Sequence, residues 1–175
     1  SDFIISLVKS SGVKIICVFG SSILQPAFTK LKDISIINMH LGLSPYYRGS
    51  GTNLFPIMND ELSCVGATIH KLTDIIDGGS IYHQIRPEME INDSIHDIGN
   101  KTIKAGTQAM VLTVQDIILG KSKPQYVDKA NGKLYRRKDF NYKVLSESQK
   151  NISNGAVGRY LNDKSKYDSK YPIIN

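Results

Sequence analysis

Two short apolar runs stand near the start of the chain, residues 13–19 and 34–38. Both are rich in β-branched residues and bounded by turn formers, which predicts two strands buried on both faces. Gly12 precedes the first, Gly20-Ser21-Ser22 ends it, and His40 falls just past the second. Between them Pro26 starts a short helical turn over residues 27–31. Gly42, Pro45, Gly49 and Gly51 then break any regular period, so residues 41–52 read as a long irregular loop, followed by a short helix in 53–59. Residues 65–72 and 80–85 read as two more strands.

Asn92-Asp93-Ser94 offers an N-cap, and Ile95, Ile98, Ile103, Met110, Leu112, Val114, Ile117 and Ile118 recur near helical spacing up to Gly120. One long amphipathic helix is the expectation. Beyond it come a loop at 121–124, a short strand at Gln125-Tyr126-Val127, a turn at Asn131-Gly132 and a single helix within 151–161.

With 175 residues the chain suits one domain plus a tail, divided as a core over 1–120 and a basic extension over 121–175. Residues 1–120 hold nine Lys and Arg against eleven Asp and Glu, and residues 121–175 hold thirteen against five. The basic excess therefore lies in the tail, which reads as a solvated arm in preference to a binder of nucleic acid or phosphorylated sugar. No apolar run has the length to cross a bilayer, so no membrane partner is expected. The two cysteines, Cys17 and Cys64, fall in or beside strands, the usage of inert buried thiols in a reduced cytoplasmic protein. They and the four histidines show no ligand-like spacing, and no metal is assigned.

The chemistry-bearing residues are Asn38 and His40, two apart on extended backbone and so on one face, and Asp77 in the turn Asp74-Ile75-Ile76-Asp77-Gly78-Gly79. An amide, an imidazole and a carboxylate together can hold an oxyanion and move a proton at a carbonyl. Taken singly, His40 reads equally as a hydrogen-bonded structural residue, and Asp77 as part of a polar turn.

The segments INMHLGLSPYYRG (37–49) and GATIHKLTDIIDGGSIYHQ (66–84) resemble the signature of the formyltransferases that use 10-formyltetrahydrofolate, a group acting on glycinamide ribonucleotide, methionyl-tRNA and amino sugars. The resemblance covers residues 13–120. It implies an α/β fold with a Rossmann-like, mostly parallel sheet, and catalytic roles for Asn38, His40 and Asp77. It also implies a folate pocket in which Ser22, Ile23 and Leu24 form one wall, and Thr73, Asp74, Ile75 and Ile76 the other. Tyr47 and Arg48 read as loop packing and carbonyl binding as readily as substrate contacts. His70 resembles a His of the ribonucleotide and sugar enzymes at a strand position where the tRNA enzymes carry Met.

The implied reaction is attack by a primary amine on the formyl carbon of 10-formyltetrahydrofolate. Asn38 and His40 would steady the oxyanion, and Asp77 would orient His40 and take the amine proton. The implied acceptor is a small-molecule amine, with a nucleotide-linked amino sugar the leading choice. The alternatives are a formyltetrahydrofolate hydrolase, a methionyl-tRNA formyltransferase, and a non-catalytic folate- or nucleic-acid-binding fragment. Relative to the family pattern the chain reads as truncated at its N-terminal side. The edge of its first strand should then favour aggregation, a homodimer or pairing with a preceding segment.

Overall fold

The computed structural model describes residues 2–31, 33–128 and 132–175. The first half runs α1 (Asp2–Ser10), β1 (Ile15–Phe19), α2 (Pro26–Thr29), β2 (Ser35–Leu41), β3 (Tyr47–Gly49), α3 (Leu54–Met58), a 3-10 turn (Leu62–Cys64), β4 (Ala67–Lys71) and β5 (Ile81–Ile85). The second half runs α4 (Ile95–Ile118), β6 (Lys133–Tyr135), a second 3-10 turn (Arg137–Asp139), α5 (Tyr142–Ser153), α6 (Ala156–Asn162) and α7 (Lys164–Ser169).

The class is α/β, with a four-stranded sheet in the order β1-β2-β4-β5. Parallel pairing joins β1 to β2, and joins β3 to β6 in a small second sheet. β4 runs antiparallel to both of its neighbours, so the parallel character expected of the sheet is confined to its β1 side. The nine residues between β4 and β5 are too few for the crossover that a parallel pair requires.

β2 is longer than expected. Its ladder with β4 continues through Asn38↔His70 and His40↔Thr68, so His40 lies inside the strand and not past it. The stretch expected to be wholly irregular contains β3, because residues 47–49 find a partner in β6, far along the chain.

α4 packs on the β2–β4–β5 face, where Ile37, Met39, Ala67 and Ile69 meet Ala109 and Met110. Its start is a capping box: Ser94 Oγ accepts from Asp97 N–H, and Ser94 N–H donates to Asp97 Oδ2 at 2.9 Å. The buried stripe runs through Ile98, Thr102, Gly106, Ala109 and Thr113, while Ile103, Leu112 and Ile118 are exposed. The apolar spacing thus located the helix and, through Ile95, Ile98, Met110, Val114 and Ile117, most of its inner face, but not the point where it comes nearest the sheet. That point is Gly106: a Cβ there would sit 2.8 Å from Met39 Sδ and 2.9 Å from Ala67 Cβ, so the helix backbone itself rests on β2 and β4.

The tail is not a solvated arm. Asn151 Nδ2 donates to the carbonyls of Ile57 and Met58, both at 2.9 Å, and Ser148 Oγ to that of Leu54 at 3.1 Å, so α5 supplies partners to α3 carbonyls. Ala156, Val157 and Tyr160 of α6 complete a core cluster with Ile57, Leu62, Val65, Met89, Ile95 and Ile98. Each large apolar side chain buried this way contributes about 1.5–3 kcal/mol. The helix expected in 151–161 is broken by Gly155, whose φ of +78° ends α5 and opens α6.

At Gln125 there is only a single bridge, to Ile81, where a short strand was expected. That bridge and the hydrogen bond from Gln84 N–H to the Ile174 carbonyl at 2.6 Å cover the outer edge of β5. Among the described residues nothing pairs with the outer edge of β1. Cys17 lies exposed on that strand and Cys64 is buried, which corrects the expectation of two buried thiols. The turn expected at Asn131-Gly132 includes Asn131, which lies outside the described residues. No described helix is long and apolar enough to cross a membrane.

Candidate active site

Extended backbone in β2 turns Asn38 and His40 to the sheet face opposite α4, and the β4–β5 loop brings Asp77 over them. Asp77 adopts φ +44°, immediately before the two glycines of its turn. His40 Nδ1 lies 3.2 Å from Asp77 Oδ2, with the two side chains only 6% and 12% exposed. Gly49 N–H donates to the same Oδ2 at 2.8 Å, so a backbone amide from β3 fixes the carboxylate.

His70, directly across the ladder from Asn38, completes a chain of contacts. Its Nε2 lies 3.1 Å from Asn38 Nδ2 and 3.5 Å from Asp77 Oδ1, and its Nδ1 lies 2.9 Å from the Lys71 carbonyl. The Lys71 carbonyl at Nδ1, and the Asn38 amide and Asp77 carboxylate at Nε2, hold the ring between them. The sequence drew attention to His70 but not to this contact. The available signal was a His at position 70, two after Thr68 and so on the same face of β4.

His40 is held at both ends. Its Nε2 lies 2.9 Å from the Tyr47 carbonyl and 3.4 Å from Thr52 Oγ1, which itself donates to the Leu41 carbonyl. With acceptors at both ring nitrogens, the geometry suits a ring that donates twice. Burial pushes His40 below its ordinary value, against the pull of the Asp77 charge and the Tyr47 carbonyl. Burial would raise Asp77, but the His70 hydrogen bond, the charge of His40 and the Gly49 N–H outweigh it and hold the carboxyl below the usual range.

That direction fixes a pH dependence. A carboxyl whose value is lower folded than unfolded stabilises the fold fully above its unfolded value, and this is lost as pH falls through the folded one. Wild type is therefore expected to lose its stability advantage over Asp77→Asn below about pH 4. Urea denaturation at stepped pH checks this, and parallel pH profiles for the two proteins would refute it.

All ten expected site residues line one cavity of about 970 Å³: Asn38, His40 and Asp77 with Ser22, Ile23, Leu24, Thr73, Asp74, Ile75 and Ile76. α2 and the β4–β5 loop are tied where Thr29 Oγ1 donates to Asp74 Oδ1 at 2.6 Å. Ile23 is 82% exposed, and Ile75 and Ile76 are also exposed, giving the cavity an apolar rim. Arg48 is not among the lining residues, and its Nε is buried without a hydrogen-bond partner, which corrects the reading of Arg48 as a carbonyl binder. Tyr47 is buried, as loop packing requires, and its carbonyl rather than its ring serves His40. The sequence did not bring residues 134–137 to this cavity, yet they line it.

The family model described as formyl transferase matches residues 3–114. The chain belongs to the formyl transferase family. Within it, the methionyl-tRNA formyltransferase of Caldicellulosiruptor saccharolyticus is 28% identical over 116 residues, covering 66% of this chain and 37% of that relative. Of solved structures, the formyltransferase PseJ from Anoxybacillus kamchatkensis, in complex with UDP-4,6-dideoxy-4-formamido-L-AltNAc and tetrahydrofolate, is 25% identical with a TM-score of 0.64. The match covers 73% of this chain and 67% of that one. Phosphoribosylglycinamide formyltransferase from Campylobacter jejuni is 26% identical with a TM-score of 0.56, covering 66% and 60%. This formyl transferase chain thus spans little more than a third of the length of the curated relative, 37% of it.

Proposed function

We propose that the chain carries the formyl-transfer centre of a folate-dependent N-formyltransferase, working on the primary amine of a small acceptor such as a nucleotide-linked amino sugar. The observation that carries the reading is convergence: an amide, two imidazoles and a carboxylate meet within 3.5 Å steps at the floor of one cavity with an apolar rim. Ile23, Leu24, Ile75 and Ile76 suit the faces of a flat heteroaromatic ring, and the backbone groups of residues 73–76 suit its polar edge. When bound there, 10-formyltetrahydrofolate supplies an activated formyl group.

The residues divide the remaining work. Asn38 is partly exposed to the cavity and directs its amide toward a carbonyl oxygen that gathers negative charge. His70 Nε2, 3.1 Å from that amide, fixes its direction. His40 cannot donate to a ligand without leaving the Tyr47 carbonyl, so in this geometry it acts through Asp77, whose carboxylate it orients. Asp77 Oδ2 is already engaged by His40 and Gly49, and Oδ1 has only the longer His70 contact, so Oδ1 is the atom that takes the proton leaving the attacking nitrogen and passes it to the folate nitrogen as the bond from that nitrogen to the formyl carbon breaks. Relatives with nucleotide-sugar and folate ligands favour a sugar amine over a tRNA, as does His70 itself.

The test is donor turnover by the full chain, with 10-formyltetrahydrofolate and a set of nucleotide-linked amino sugars. Tetrahydrofolate release that requires the amine is the expected result. Release at the same rate without amine would replace the transferase with a hydrolase, and failure to bind tetrahydrofolate would overturn the folate reading.

A further inference from the structure

The cavity has two walls of different chemistry. The first, formed by the β1–α2 and β4–β5 loops, is the apolar one described above. The second joins the β3–α3 loop to β6: Ser50 N–H donates to the Tyr135 carbonyl at 2.9 Å, and Gly49 pairs with Tyr135. Asp77 belongs to the first wall by sequence and is bonded to the second through Gly49 N–H.

The second wall carries charge and unused polar groups. Arg136 and Arg137 both line the cavity, and neither guanidinium forms an ion pair or hydrogen bond among the described residues. The nearest acid in sequence, Asp139, is turned to the backbone N–H of Arg136, at 2.7 Å, and forms no ion pair with either guanidinium. Asn53, on the same wall, has both Nδ2 and Oδ1 buried with no hydrogen-bond partner. A group left that way is destabilising unless a ligand completes it.

We propose that Asn53, Arg136 and Arg137 form the subsite for a phosphate or diphosphate on the acceptor. The two guanidiniums would clamp the anion through charge-assisted, forked hydrogen bonds, and Asn53 would pair with the group that joins it to the amine-bearing moiety. This rests on the folate-dependent reading, which gives the first wall to the donor and leaves the second to the acceptor. Two adjacent guanidiniums match the charge of a diphosphate better than that of a neutral sugar amine, so specificity for a phosphorylated acceptor comes from the tail and not from the sheet.

The experiment is calorimetric titration of the full chain and its R136Q/R137Q variant with UDP, uridine and tetrahydrofolate in turn. Both arginines are exposed, and a melting curve confirms that the variant folds. UDP should bind wild type, with affinity falling as salt rises, and bind the variant at least about tenfold more weakly. Uridine should bind no better to wild type than to the variant, and tetrahydrofolate should bind both alike. UDP affinity unchanged in the variant would overturn the subsite. So would an equal loss for tetrahydrofolate, which would assign the guanidiniums to the carboxylates of the donor. If UDP binding depends on the arginines while tetrahydrofolate fails to bind wild type, the subsite stands and the folate reading falls.

Discussion

Replacing Asn38 with Ala is expected to lower kcat for formyl transfer by about 10²- to 10³-fold, the loss typical of one fixed donor at a developing oxyanion. The reasoning is geometric. Both nitrogens of His40 are committed to Asp77 and Tyr47, so Asn38 is the side chain of the group that is free to meet a carbonyl oxygen in the cavity. Because the donor acts mainly on the transition state, tetrahydrofolate affinity should change by no more than about threefold. The double variant Asn38→Ala/Asp77→Asn should be scarcely worse than its weaker parent, since the residues work as a unit. Steady-state kinetics with a tetrahydrofolate titration decide it. A variant keeping a third of wild-type kcat would remove Asn38 from the chemistry, and a large rise in KM at constant kcat would make it a binding residue.

The legible parts of this site were those with a side-chain signal. Asn38 and His40 stand at strand period inside an apolar run, and Asp77 precedes paired glycines, so residue type and spacing carried them into view. What holds them did not show. The Tyr47 carbonyl and the Gly49 N–H are backbone groups that every residue possesses, and only the path of β3 brings them to His40 and Asp77. His70 meets Asn38 through antiparallel register, which a single strand does not encode.

The same limit explains the fold. A strand buried on both faces reads alike whether its neighbour runs parallel or antiparallel, so β4 gave no sign of turning back. The inner face of α4 includes Thr102, Gly106 and Thr113 between its apolar residues, with Gly106 giving close approach to the sheet, and a search for large apolar residues passes over them. The tail looked solvated because its charge is real. Its burial rests on a few positions, Val144, Ala156, Val157 and Tyr160, spread over two short helices.

Gly49→Ala should damage stability and activity together, because one backbone position serves both. Gly49 has φ +96°, outside the range open to alanine without strain, and a Cβ there would lie 1.9 Å from the Tyr135 carbonyl oxygen. Relief requires β3 and β6 to separate. That would loosen Tyr135, which stacks on Phe55 at 3.8 Å and on Tyr47 at 5.6 Å, and would draw the Gly49 N–H away from Asp77 Oδ2. Backbone strain and overpacking together make the expected cost roughly 2–5 kcal/mol, or about 10 °C in Tm for a chain of this size. At a temperature where the variant remains folded, Asp77 would have lost a donor that holds its charge, so its carboxyl should titrate closer to the usual range and kcat should fall with it. Gly51→Ala is the matched control: its φ is also positive, but the nearest atom to its Cβ is a Phe140 ring carbon, and its backbone makes no bond to Asp77. Thermal melts and the pH profile of kcat, measured on both variants, separate strain alone from loss of the carboxylate's anchor. If Gly49→Ala and Gly51→Ala shift both readouts alike, the β3 amide has no special hold on Asp77.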